Sequence, residues 1–112
     1  MQIIPFRDAS NFIMQIQLTG SLYFLEFRWN ALNEFWVMDI FNNDEFPIIY
    51  GIKIVQDYPL LYQYTVEGLP PGEIICQNIV NAPSNIGRFD MSQKFLLVYY
   101  EPQEIEELLS EI

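Results

Sequence analysis

Carboxylates are the only abundant reactive side chains in this sequence. Its 112 residues include 15 Asp and Glu, 5 Lys and Arg, one Cys and no His. Two carboxylates held at a fixed separation across a cleft can hydrolyse a glycosidic bond. Asp39, Asp44, Asp57 and Asp90 are the nominees, but nothing in the sequence pairs any two of them. Most stand beside turn residues, where Asp and Asn hydrogen-bond their own backbone, so they read as solvated or turn-capping groups. Without His the chain lacks the commonest general base and metal ligand. Ser10, Ser21, Ser84, Ser92 and Ser110 therefore have no imidazole to activate them. The oxygen-rich run 42–45 (Asn-Asn-Asp-Glu) offers calcium ligands but lacks the spacing and glycine of an EF-hand loop, and reads as a plain hairpin turn. Cys76 stands near Ile74, Ile75 and Ile79 and reads as a small buried hydrophobe. As the only cysteine it can form neither an intrachain disulfide nor a thiolate cluster. No glycine-rich phosphate loop is present. These residues point away from catalysis, cofactors and metals, and towards binding or assembly.

Aromatic residues offer a different chemistry. Nine Phe, seven Tyr and two Trp make up 16% of the chain, a composition suited to pleated, half-buried strands. Trp29 and Trp36 flank a turn and can lie side by side across a hairpin. Exposed, such a pair would stack on a sugar ring; buried, it is cross-strand core packing, the favoured reading. The net charge of −10 repels phosphate backbones and anionic membrane surfaces. It keeps an aromatic-rich domain soluble and also complements a basic partner.

The elements that position these groups follow from periodicity. Residues 12–18 alternate, with Phe12, Met14, Ile16 and Leu18 on one face. Thr19-Gly20 marks a tight turn into a strand over 22–29 with Tyr23, Leu25, Phe27 and Trp29 on one face. A third strand covers 34–41, with Trp36, Met38 and Ile40 on one side and Asp39 on the other. A fourth covers 46–55, with Ile48, Tyr50, Ile52 and Ile54 together and Gly51 marking a bulge or a close approach. Asp57 is expected to cap a single helical turn that contains Pro59. Residues 68–72 form a loop, 73–79 a short strand, and 81–87 a longer loop. The strand over 94–100 is apolar on both faces, which implies burial on both sides or a paired subunit.

After Pro102 the period changes. Ile105, Leu108, Leu109 and Ile112 fall at i, i+3, i+4 and i+7, an amphipathic stripe between glutamates. A helix this short needs a surface to cover its stripe, either its own domain or another subunit. The expected fold is mainly β, a small sandwich or partly open barrel over residues 1–101, with 102–112 as a C-terminal helical appendage. The start, Met1 to Pro5, has neither the basic residues nor the apolar core of a secretion signal, and no apolar run is long enough to span a bilayer.

Short segments in order along the chain resemble the phage baseplate plug proteins of contractile-tailed phages. They are Met1-Gln2-Ile3-Ile4-Pro5, Phe27-Arg28-Trp29-Asn30, Trp36-Val37-Met38-Asp39-Ile40, Pro47-Ile48, Gly51-Ile52-Lys53-Ile54-Val55, Asp57-Tyr58-Pro59-Leu60-Leu61 and Phe95-Leu96-Leu97-Val98-Tyr99-Tyr100. Residues 73–87 depart from the acidic, glycine-rich stretch of that family, and the Glu-rich helix is longer. The resemblance implies a virion protein made in the host cytoplasm and placed at the centre of the tail baseplate. Its partners would be hub, tube and spike proteins, with no enzymatic activity and no cofactor. A symmetric lumen implies several copies, three in the simplest case. Ile105, Leu108, Leu109 and Ile112 are the expected interface. A carbohydrate-binding module using the aromatics is the second reading, and a two-carboxylate glycan hydrolase the third.

Overall fold

The computed structural model of the chain describes residues 1–81 and 85–110, with side chains as far as residue 107. Alternating strands pair into two sheets. The elements in order are β1 (Gln2–Ile3), β2 (Asn11–Leu18), β3 (Ser21–Asn30), β4 (Phe35–Phe41), β5 (Pro47–Lys53), β6 (Glu73–Asn78), β7 (Phe95–Tyr100) and α1 (Pro102–Ser110). β2-β3-β4-β5 form a four-stranded antiparallel meander, and β1-β7-β6 form a three-stranded sheet. The inner faces share one core: Leu18, Leu25, Phe27, Trp36, Met38 and Ile40 meet Ile74, Leu97 and Tyr99. The result is an open mainly-β sandwich with one short helix.

The turn Thr19-Gly20 joins Leu18 to its partner Ser21, and both turn residues have positive φ, 49° and 79°. Such a turn matches the twist of the strands it joins. Threonine is strained in this region, and its hydroxyl supplies the compensation. Thr19 Oγ1 accepts from Tyr99 Oη at 2.6 Å and donates to Glu101 Oε2 at 2.6 Å. Tyr99 Oη also accepts from Gly72 N at 2.8 Å. This chain of bonds ties the hairpin of one sheet to the central strand of the other.

β7 is buried on its inner face and only partly on its outer one, where Leu96 and Tyr100 are half-buried. Phe95, Leu97 and Tyr99 enter the sandwich core, and Val98 is buried between the flanking Ile3 and Ile75. β1, not anticipated from the sequence, is a two-residue edge strand; Ile4 follows it, bonds through its N–H to Leu97 O, and is buried. Phe6 then fills the space between the sheets, with ring centroids 4.9 Å from Phe12 and 4.7 Å from Trp36 at nearly perpendicular angles. Such edge-to-face pairs add about 0.5–1.5 kcal/mol each beyond area burial.

Two expectations are corrected. Residues 57–63 form turns and not a helical turn. Asp57 adopts φ 55° and accepts from Asn78 N, so it fastens this segment to the end of β6. Tyr50 does not join Ile48, Ile52 and Ile54 on the inner face; it is 61% exposed. The register slips between β4 and β5 opposite Met38–Phe41, and Gly51 has φ 79°. The bulge breaks the alternation, which leaves Ile48 and Ile49 both packed against the core and turns Tyr50 outward.

α1 begins with one half of a capping box. Glu104 Oε1 accepts from Glu101 N at 2.9 Å while Pro102 takes the first helical position. Glu104 also pairs with the N-terminal ammonium of Met1, which joins the helix to β1.

Gly72 admits no side chain. A Cβ there would lie 2.0 Å from Tyr100 O and 2.6 Å from the Tyr99 ring. Gly72→Ala should lose more than about 3 kcal/mol in urea unfolding, above the usual range for overpacking; a loss below about 1 kcal/mol would contradict this packing. Glu73 gives a pH test. Burial raises its pKa, outweighing the lowering by hydrogen bonds from Leu61 N at 2.6 Å and Ile74 N at 3.0 Å. A raised folded-state pKa favours the fold fully below the unfolded value, and that contribution is lost as pH rises through the folded value. Glu73→Gln keeps the acceptor and removes the charge. The variant should therefore gain stability relative to wild type between about pH 4 and about pH 7, read by denaturant titration at both.

Candidate functional site

Strands with one apolar face normally turn the other to water. Here the outward face of the four-stranded sheet is also rich in apolar groups. Phe24 lies directly across from Phe41, and the Phe41 ring meets Tyr50 edge-on at 5.6 Å. Leu22 and Ile13 extend this patch and are exposed. A second apolar group, Phe35 and Val37, lies towards the other end, with Lys53 Nζ 4.8 Å above the Phe35 ring. Phe24, Phe35, Val37 and Phe41 are half-buried.

A polar island separates the two patches. Asp39 lies on this outward face yet its side chain is only 2% exposed, against 45% for its partner Arg28. The reading of Asp39 as a solvated or turn-capping carboxylate is thereby corrected. Arg28 donates through Nε to Oδ2 and through Nη2 to Oδ1, both at 3.0 Å. Oδ1 also accepts from Gly51 N at 2.8 Å. The two-pronged geometry suits the planar guanidinium and raises the Arg28 pKa further above its ordinary value. Glu26 faces Asp39 across the strands. Like charges directly opposite cost stability, and Arg28 offsets that repulsion. The carboxylate thus holds the bulge of β5 onto β4, and the bulge presents Tyr50.

The remaining carboxylates are structural in their surroundings. Asp90 accepts from Gly87 N at 2.8 Å and lies 3.9 Å from Lys94. In 42–45 the turn is built by Asn42, whose Oδ1 accepts from Asp44 N and Phe46 N. The carboxylates of Asp39, Asp57 and Asp90 each serve a different local contact, Asp44 is exposed, and no contact among the described residues pairs two of the four. Cys76 is buried, and desolvation, with the charge of Asp57, pushes its thiol up to about 12. It is protonated at neutral pH.

The tryptophans divide. Trp36 is fully buried, with its ring 5.4 Å from Trp29. Its Nε1 has no hydrogen-bond partner among the described residues. Trp29 is half-buried and lines a cleft of about 720 Å³ with Phe35, Lys53, Gln56 and Arg88. A flat, two-Trp sugar platform is absent from the described surface. Among the sequence-expected interface residues, Ile105 is half-buried on α1. Leu108 and Leu109 belong to the helix with side chains outside the described part, and Ile112 lies outside the described residues altogether. The sequence pattern marks the residues in phase with the core and leaves the outward-face aromatics without a periodic signal of their own. The available signal was Phe24, Phe35 and Phe41, out of phase with Leu25, Trp36 and Ile40.

The ion pair has one buried and one half-exposed member. Arg28→Met and Asp39→Asn should each cost about 1–3 kcal/mol, between the exposed-pair and buried-pair ranges. A double-mutant cycle should return a favourable coupling; a coupling near zero would make Asp39 incidental.

No curated protein matches the chain. A family match is found over residues 1–102, which takes in both sheets and ends where α1 begins. The matched family is described as Cyanophage baseplate Pam3 plug gp18. With nearly its whole length matched, this chain belongs to that family of phage baseplate plug proteins, structural components of the virion tail.

Proposed function

We propose that the chain closes the central channel of a phage tail baseplate, contacting hub, tube and spike proteins, and that it acts by shape and contact with no catalysis. The observation that carries this reading is the family match over residues 1–102. The outward sheet face supports it, because aromatic residues at a partly exposed surface are enriched in protein interfaces. Tyr50, Phe41 and Phe24 form the proposed contact. The net charge of −10 favours a basic channel wall and disfavours nucleic acid or an anionic membrane as partner. Several copies, three in the simplest case, would occupy the channel. The α1 stripe of Ile105, Leu108, Leu109 and Ile112 is a secondary contact in this reading. It begins beyond the residues covered by the family match. The carbohydrate-binding alternative is weakened by the burial of Trp36.

Cryo-electron microscopy of tails produced with and without the chain tests this directly. Density closing the channel should appear only when the chain is present. A closed channel in its absence, or the chain at the baseplate periphery, would contradict the reading. In pull-downs of baseplate proteins, capture should fall several-fold when salt rises from about 50 to about 500 mM, because exposed charges are then screened. Leu108→Asp combined with Leu109→Asp should weaken capture while leaving the sandwich folded.

A further inference from the structure

A sheet edge presents unpaired N–H and C=O groups, and folded proteins blunt it with charge, proline, a bulge, shortness or a covering segment. In the three-stranded sheet β1 is two residues long. The free side of β6 is bonded by residues 57–60, through Asp57 N to Cys76 O and Leu60 N to Ile74 O. In the four-stranded sheet β5 starts at Pro47, bulges at Gly51 and ends with Lys53. β2 has none of these devices. It is eight residues long, in continuous register with β3. No charged residue stands between Asp8 and Glu26, the longest uncharged run in the chain.

The register identifies the free groups. Trp29 N donates to Ser10 O, and antiparallel ladders alternate between bonded and non-bonded pairs. Residues 12, 14, 16 and 18 therefore bond to β3, and Asn11, Ile13, Gln15 and Gln17 turn their backbone groups outward. Gln17 O accepts from Gln2 Nε2 at 3.1 Å. Asn11, Ile13 and Gln15 are left, with exposed side chains; Ile13 is 55% exposed.

We infer that β2 pairs antiparallel with β2 of a second copy, about a two-fold axis at Ile13. A two-fold contact requires a self-complementary surface, and this one is. Ile13 meets Ile13 of the other copy, and Asn11 meets Gln15, amide against amide. Two copies of charge −10 repel, and they approach most cheaply along an uncharged strand. Head-to-tail edge pairing is closed off, because the described residues offer no second long free edge. The two four-stranded sheets become one continuous sheet. This pairing is a property of the isolated chain and does not depend on the plug reading.

The test uses purified full-length protein. Light scattering should give twice the chain mass of 13.3 kDa. Ile13→Lys and Gln15→Lys should each return the single-chain mass with unchanged circular dichroism, since both side chains are exposed and the backbone groups of both residues point away from β3. Ile13→Cys should form an interchain disulfide on mild oxidation, because directly opposed bonded residues lie about 5.5 Å apart, within disulfide reach. Buried Cys76 does not compete. A monomer at every concentration up to the solubility limit, a dimer unchanged by both lysine variants, or no disulfide would overturn the inference. So would a monomer whose Ile13 and Gln15 amides gain exchange protection only when baseplate proteins are added, since a foreign strand would then hold the edge.

Discussion

A carboxylate withdrawn from water on the outward face of a sheet must be fully met by donors, or the fold cannot keep it there. Asp39 meets this constraint with the Arg28 fork and the Gly51 amide. Three strands are fixed by one side chain: β3 supplies the cation, β4 the anion and β5 the backbone donor. The left-handed backbone that brings the Gly51 N–H to Oδ1 suits glycine, which has no Cβ to clash there. The same bulge sends Tyr50 outward against Phe41. The outward placement of Tyr50 on the face that makes the proposed contact is therefore a consequence of one buried charge.

The second organising contact joins the sheets. Gly72, Tyr99, Thr19 and Glu101 form a continuous run of hydrogen bonds from the loop before β6 to the start of α1. Backbone strain at Thr19 is offset by the two bonds its hydroxyl makes. A sandwich clamped in this way keeps its outer surface in a defined shape.

Much of the architecture was legible in the sequence because it obeys local rules. Period-two alternation placed β2, β3 and β4 to within a residue or two, the Thr19-Gly20 turn was visible, and Gly51 signalled its bulge. The helix after Pro102 followed from the spacing of Ile105. What was illegible depends on groups distant in the chain. Asp39 sits on the polar side of an alternating strand, and only the fold brings Gly51 N to it. Tyr50 is in phase with Ile52 until the bulge shifts the phase. Asp57 has the appearance of a helix cap, but its carboxylate is claimed by Asn78 N. β1 is too short to carry a periodic signal. For function, the ordered segments from Met1 to Tyr100 carried the family correctly, while the outward-face aromatics stayed hidden as residues out of phase with the core.

Hydroxyl-radical footprinting of the chain, free and within purified baseplates, is the most direct measurement of the claim that the outward sheet face makes the contact. Labelling of Tyr50, Phe41 and Phe24 should fall on assembly. Unchanged labelling at all three, with losses confined to other surfaces, would contradict the account.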